Sequence, residues 1–365
     1  MKFQIAKDEL VGILNIVLKG MASRSTLPIL SGILVDAKEN TVSFQTTDLE
    51  ISIRHIAAAN VEESGRTVIP GKLFSDIVKQ LPDAAVQVSC VQEQTTIACL
   101  DSKFVLSTLN PADFPYFPEV ETQMTVELPT AELAATVKKV EKAVSRDESR
   151  AILTGIQFTL EGDTARFIAT DSYRLSVAYQ HVDGQQFEPF QAIIPGKTFE
   201  DVARLASSEG SISIGFSDNQ VVFKFGSTIF VSRKIEGTYP NCMQLIPADH
   251  EVAIQLDTAA LTTAIKRVSL LAQANTPVRL AFSAQNQNVV VSAKTQDVGG
   301  ALETIPAMVD GDDIEIAFNH QYILDGLASI EGDTLIELQS SLKAGILKKA
   351  GSEDFIYLAM PVRLS

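Results

Sequence analysis

The chain repeats itself. The stretch VIPGKLFSDIVKQL, Val68 to Leu81, returns as IIPGKTFEDVARLA, Ile193 to Ala206, with Lys72 and Lys197 separated by 125 positions (197 − 72). Fragments around each copy recur in the same order. TVSFQTTDLEISI (Thr41 to Ile53) matches TARFIATDSYRLSV (Thr164 to Val177), and ADFPYFP (Ala112 to Pro118) matches GTYPNCM (Gly237 to Met243). A weaker third copy, EIAFNHQYILDGLASI (Glu315 to Ile330), puts Asn319 where Pro195 would fall. A period of this length is that of a domain rather than a solenoid turn. The 365 residues therefore divide into three similar domains, expected at 1–122, 123–248 and 249–365.

Within each copy the hydrophobic spacing predicts an amphipathic helix, two or three strands, a second short helix after the PGK-type turn, and further strands. The first helices are expected at Lys7–Lys19, Thr130–Ser145 and Asp257–Leu271, with Thr130 and Asp257 as N-caps and Glu132 in a first turn. Leu133, Val137, Val140 and Val144 form one apolar stripe. Lys138, Lys139, Lys142 and Arg146 fall opposite it. Leu261, Ile265 and Val268 make the third stripe, with Lys266 and Arg267 away from it, and Leu10, Leu14 and Val17 make the first, with Lys19 opposite. The second helices start after Pro70-Gly71, Pro195-Gly196 and Phe318-Asn319. The alternating runs Val86–Val88, Ile212–Ile214, Val221–Phe223 and Ile314–Ile316 read as strands. The C-terminal segment from Phe355 onward reads either as one side of a groove or as an edge strand closing the third domain. The fold class is α+β.

Charge narrows the function. Thirty Lys and Arg against 45 Asp and Glu leave a net charge of −15, which alone argues against a nucleic-acid partner. Yet cationic residues recur on corresponding helix faces of an acidic chain, which points to a polyanion held through its phosphates without base reading. Catalysis finds little support. His55, His181, His250 and His320 lie in no nucleophile-elbow or HExxH context and read as surface or turn residues. Gly196-Lys197-Thr198 lacks the upstream glycine of a P-loop, since Gln191 stands there. The repeated Thr-Asp pairs with Asp48 and Asp171 read as turn devices. Cys90, Cys99 and Cys242 form no CxxC, so no metal and no cofactor is expected. Cys90 and Cys99 are expected as reduced buried thiols that could face each other across a hairpin. No apolar run approaches the ~18 residues of a membrane span, and MKFQIAKDELVG is no secretory signal, so a cytoplasmic protein without a membrane partner is expected. A hydrolase or transferase using carboxylates among the 45 acids, and a repeat-built structural protein, are the competing readings.

Several motifs together resemble the bacterial DNA polymerase III beta subunit family, the sliding clamps. They are MKF at the start, Arg24 followed by TLPIL, TDLE at Thr47 to Glu50, STLNPADFP at Ser107 to Pro115, ATDSYRLSV at Ala169 to Val177, and AMPVRL at Ala359 to Leu364. The resemblance covers the whole chain. It implies three clamp domains, each with two inner helices and outer antiparallel sheets, and two chains joined head to tail as a ring around duplex DNA. It implies a non-catalytic processivity subunit that tethers the polymerase III alpha subunit, the clamp loader and other proteins with clamp-binding motifs. Arg24, Lys72, Arg150 and Lys197 match the family's DNA-contacting positions; Lys138, Lys142, Arg146, Lys266 and Arg267 join them from helix geometry. The partner-peptide pocket carries over to Leu153, Thr170, Ser172, Tyr173, Arg174, Leu175, Pro240, Leu245, Leu358, Met360, Pro361, Val362 and Arg363. The dimer joint carries over to Lys103 and Phe104 of one chain and Leu270 and Leu271 of the other. Ser172 replaces a frequent glycine, Gln244 an arginine of some members, Ala151-Ile152 a tyrosine pair, and Ser365 trails the usual ending. Asp297, Glu303 and Asp101 thin the charge pattern at the joint, which is expected to depend on apolar packing and strand pairing.

Overall fold

The computed structural model describes residues 1–22, 26–272, 277–295 and 299–363. Arg24, Asp297 and Ser365 lie outside the described residues. Six α-helices are found among those described: α1 Lys7–Val17, α2 Gly71–Gln80, α3 Thr130–Val140, α4 Gly196–Leu205, α5 Thr258–Val268 and α6 His320–Leu327. Two fall in each repeat, and α1 packs against α2 and α5 against α6. Every strand pairing among the four sheets is antiparallel.

The helix stripes are buried as the spacing requires. Leu10, Leu14 and Val17 of α1, Leu133, Val137 and Val140 of α3, and Leu261, Ile265 and Val268 of α5 are each at most 1% exposed. Losing one such leucine side chain costs about 2–5 kcal/mol. The first helices are shorter than their periodicity suggests. Each α-helix stops at a valine and passes into a three-residue 3-10 turn, Leu18–Gly20, Glu141–Ala143 and Ser269–Leu271. The closing bonds are Met21 N–H to Leu18 O, Val144 N–H to Glu141 O and Ala272 N–H to Ser269 O. A 3-10 turn advances 120° per residue instead of 100°. Lys142 and Arg146 therefore do not continue the cationic face expected opposite the α3 stripe, and Val144 leaves the helix in extended backbone. Asp257 caps α5, accepting from Ala260 N–H at 2.6 Å. Thr130, expected as a cap, is instead the first helical residue, and its hydroxyl donates to the Glu209 carbonyl.

Pro70 and Asn319 immediately precede α2 and α6, and Asn319 Oδ1 accepts from Gln321 N–H at 2.9 Å. The glycines that open α2 and α4 answer to close approach. A Cβ on Gly71 would lie 2.6 Å from Met21 Sδ, and one on Gly196 would lie 2.9 Å from both Val144 methyls. The next hydroxyl, Thr198, is 1% exposed within the first turn of α4.

The chain forms two compact units: Met1–Ala131 with Asp201–Lys234, and Glu132–Glu200 with Ile235–Ser365. In the first unit, strand Thr228–Arg233 pairs with Ile51–Ala58, so the opening strand and the last three strands of the middle repeat complete an eight-stranded sheet begun by the first. In the second unit, Arg174–His181 pairs with Phe355–Ala359, and a nine-stranded sheet results. The C-terminal strand Phe355–Ala359 is thus interior, hydrogen-bonded on both sides, and not an edge. Its composition (Phe, Ile, Tyr, Leu, Ala) suits burial on both faces. Each repeat also opens with a strand ahead of its first helix, and four or five strands, not two or three, separate its helices.

Cys90 pairs across its hairpin with Thr95 and Cys99 pairs with Ser102, so the two thiols do not face each other. Cys90 is partly exposed beside the turn that joins those two strands. His55 sits within a strand, its Nδ1 2.8 Å from Thr228 Oγ1.

Candidate functional site

Leu175 and Leu358 face each other across the paired strands Arg174–His181 and Phe355–Ala359. With Leu153, Ile168, Tyr239 and Cys242 they form a buried cluster, every member at most 8% exposed. Burial pushes both the Tyr239 phenol and the Cys242 thiol above their ordinary pKa values. Above this floor opens a cleft of about 440 Å3, lined by Thr170, Ser172, Arg174, Leu175, Gln244, Leu245, Pro247, Gln339, Leu342, Lys343, Ala344, Leu358 and Met360. Leu245, Leu342 and Met360 are 57%, 69% and 44% exposed. Apolar side chains left facing water around a concavity are a docking feature, not a core.

The Thr170–Arg174 turn positions one wall. Asp171 Oδ1 accepts from the Tyr173 and Arg174 amides at 2.9 and 3.1 Å. Thr170 Oγ1 donates to Arg174 O at 2.7 Å and accepts from Ser172 N–H at 3.1 Å. The turn drives Ser172 to φ +80°, the left-handed region that glycine enters without cost. The first repeat builds the same device: Asp48 Oδ1 accepts from Glu50 and Ile51, and Leu49 sits at φ +80°. The repeated aspartates are structural, as the turn reading expects.

Arg174 is the charged centre of the wall. Its side chain is 11% exposed, with Nε 3.0 Å from Asp171 Oδ2 and Nη1 2.5 Å from Asp325 Oδ2. The guanidinium lies 4.6 Å above the Tyr322 ring, and Nη1 is 3.5 Å from Tyr357 Oη. Burial opposes its charge, but Tyr357, Asp325 and Asp171 outweigh this and hold its pKa above the ordinary arginine value. Asp325, 9% exposed on α6, also accepts from Gln321 Nε2 at 2.9 Å and lies 3.8 Å from Lys142 Nζ.

Seven of the thirteen residues carried over for the pocket line this cleft: Thr170, Ser172, Arg174, Leu175, Leu245, Leu358 and Met360. Leu153 lies in the floor beneath it. Tyr173, Pro240, Pro361, Val362 and Arg363 stand outside the lining. Tyr173 stacks on Tyr322 at 6.4 Å, its carbonyl accepts from Met360 N–H, and Val362 N–H donates to Ala317 O. Sequence reasoning misses the far wall, Gln339 with Leu342 to Ala344. That wall comes from a loop in the third repeat, and no local pattern in SSLKAG marks it.

The cationic residues divide by what holds them. Lys72 and Lys197, in the first turns of α2 and α4, are exposed, as are Lys138 on α3 and Lys266 on α5. Arg146 is exposed in the segment after α3. Lys142 is shared with Asp325. Arg150 is held by Asp147 at 3.0 Å and donates to Ser172 Oγ at 3.0 Å. Arg267 is gripped by both Glu303 oxygens, at 2.5 and 2.7 Å, which raises the arginine's pKa and lowers the glutamate's. Lys19 spends its charge on Asp201, whose side chain is 2% exposed, at 3.1 Å. Lys103 and Phe104 are exposed on Ser102–Ser107, an edge strand of its sheet. Leu270 is 83% exposed in the turn after α5, and Leu271 is partly buried. Among the described residues no cluster of His, Cys, Asp and Glu could hold a metal, and no helix is long and apolar enough to cross a membrane.

Comparison with known proteins assigns the family. Models of the DNA polymerase III beta subunit match in order: its N-terminal domain at residues 1–118, its central domain at 127–241 and its C-terminal domain at 243–363. The beta sliding clamp of Staphylococcus aureus strain Mu50 is 34% identical over 375 residues, covering 100% of this chain and 99% of that protein. The DNA polymerase sliding clamp of Bacillus subtilis superposes with a TM-score of 0.95 at 31% identity. The sliding clamp of Pseudomonas aeruginosa bound to griselimycin superposes at 0.94 and 26%, each structure covered over 100% of both chains. With its three repeats matched in sequence and its fold matched end to end, the chain belongs to the DNA polymerase III beta subunit family, the beta sliding clamps.

Proposed function

We propose that two copies of this chain close head to tail into a ring that encircles duplex DNA and tethers replication and repair proteins to it, without catalysing a reaction. Domains at 1–122, 123–248 and 249–365 are the building blocks. The observation that carries the reading is the apolar cleft over Leu175 and Leu358, where exposed Leu245, Leu342 and Met360 surround a concavity. Its occupant is a short peptide ending in aliphatic or aromatic residues, borne by the polymerase III alpha subunit, the clamp loader and other partners. Arg24, Lys72, Lys138, Lys142, Arg146, Arg150, Lys197, Lys266 and Arg267 supply phosphate contacts. Those with carboxylate partners, Arg150, Lys142 and Arg267, contribute less than exposed Lys72, Lys138 and Lys266. Weak phosphate contacts permit sliding, and confinement keeps a bound polymerase at high effective concentration. Lys103 and Phe104 on their edge strand meet Leu270 and Leu271 of the second copy, where exposed apolar groups and unpaired backbone invite strand addition. The protein acts in the cytoplasm.

The test is topological. Loaded onto nicked circular plasmid, the protein should co-elute with DNA through a sizing column and be released when a restriction enzyme linearises the circle. Retention indifferent to DNA ends, or a monomeric mass at working concentration, would refute the proposal.

A further inference from the structure

The cleft has a neighbour. Pro247, Gln339 and Ala344 also wall a second cavity of about 330 Å3, so the two cavities lie side by side across a shared wall. The second cavity has a different chemistry. Three carboxylates line it, Asp249, Glu337 and Glu353, against one ammonium, Lys348, and one imidazole, His250. Lys348 Nζ lies 3.0 Å from Glu337 and 2.9 Å from Glu353, so one cation is shared between two anions. His250 Nδ1 is 3.6 Å from Glu337 Oε1 and adds charge only when protonated. With neutral His250 the lining carries −3 + 1 = −2. Glu353 is 74% exposed at the mouth. Gln339 divides the compartments: its Nε2 donates to Asp249 Oδ1 and O at 2.9 Å, and its Oε1 accepts from Lys343 at 3.1 Å.

From this adjacency and charge we propose that the site reads a longer peptide than the apolar cleft alone accommodates, taking in the second cavity a lysine or arginine that flanks the peptide's apolar anchor. This rests on the cleft being a peptide site. The anchor supplies affinity in the apolar compartment, and the flanking cation selects among partners by pairing with Glu353 and Asp249. Concave walls concentrate the field of three carboxylates set against one ammonium, which gives a single flanking charge leverage.

The test uses the full-length dimer and fluorescein-labelled peptides that share a Leu-Phe anchor. A flanking residue two to four positions away, on either side, is Lys, Ala or Glu, and affinity is read by anisotropy. The Lys peptide of one flank should bind about two- to five-fold tighter than its Ala counterpart, the range of a partly exposed ion pair, with the Glu peptide weaker. Glu353→Gln should remove the Lys advantage while leaving the Ala peptide unchanged, and Glu353→Lys should turn the preference toward Glu. Equal binding of Lys and Ala peptides on both flanks overturns this inference and leaves the apolar cleft standing. A Lys advantage that survives Glu353→Lys also overturns it. If no anchored peptide binds, the cleft reading fails and this inference falls with it.

Discussion

Removing Asp325 isolates a buried charge, and the structure sets the size of the effect. Arg174 is 11% exposed and divides its guanidinium between Asp171 and Asp325, with Tyr357 and the Tyr322 ring completing its surroundings. Breaking a buried ion pair by deleting one partner costs about 3–5 kcal/mol, because the surviving charge keeps its desolvation and loses its attraction. Here Asp171 remains at 3.0 Å and one edge of Arg174 faces the open cleft, so Asp325→Ala should cost about 2–3 kcal/mol, still within reach of that bound. Asp325→Asn keeps an oxygen acceptor and the volume, and should cost about half as much. The cost is local to the joined strands Arg174–His181 and Phe355–Ala359, since Tyr357 Oη also donates to Tyr322 O at 2.8 Å in α6. Amide hydrogen exchange is the assay, as a chain of several domains has no single unfolding free energy. Protection of those two strands should fall by about thirty- to a hundred-and-fifty-fold in Asp325→Ala, while strands Lys2–Ala6 and Ala85–Val91 keep theirs. Protection unchanged within about three-fold would refute the reasoning, and would mean that Asp171 alone satisfies Arg174.

Two other contacts set measurable outcomes. Gly196→Ala should lower local stability by about 1–3 kcal/mol and more than Gly71→Ala does, because the new methyl meets two Val144 branches and the Thr154 carbonyl in one case and the movable Met21 thioether and Ile33 side chain in the other; amide exchange protection of α4 and of α2 in the two variants checks the order. Burial holds the His55 imidazole below its ordinary pKa, against the opposing pull of Glu209. The unfolded chain therefore binds this proton first as pH falls. The stability is fully present above about pH 6.5 and is lost on acidification toward the depressed folded value. Exchange protection of strands Ile51–Ala58 and Thr228–Arg233 should drop between pH 7.5 and 5 in the wild type and much less in His55→Gln.

Much of the candidate site was legible because its signals are local. The repeated PGK turn, the apolar stripes of α1, α3 and α5, and the Thr-Asp turns each act within a few residues, and the structure places them as read. The helix ends were not legible, since Val144 satisfies an apolar period whether or not the backbone stays helical. Nor were the true states of the cations: Lys142, Arg267 and Lys19 look alike in sequence, yet each has a carboxylate partner at least 36 positions away.

By itself the sequence determined three related α+β modules, which face of each helix is buried, and the family to which the chain belongs. Tertiary structure alone decided that the middle module's strands finish both neighbouring sheets. It also decided that the C-terminal strand runs through a sheet interior, and that Gln339, Leu342 and Lys343 close a cleft begun by Thr170 and Arg174. The reason is physical. Turns and stripes are set by bonds and spacings along the chain, whereas Arg174 and Asp325 stand 151 positions apart and meet only in the folded chain, one on a strand and the other on α6.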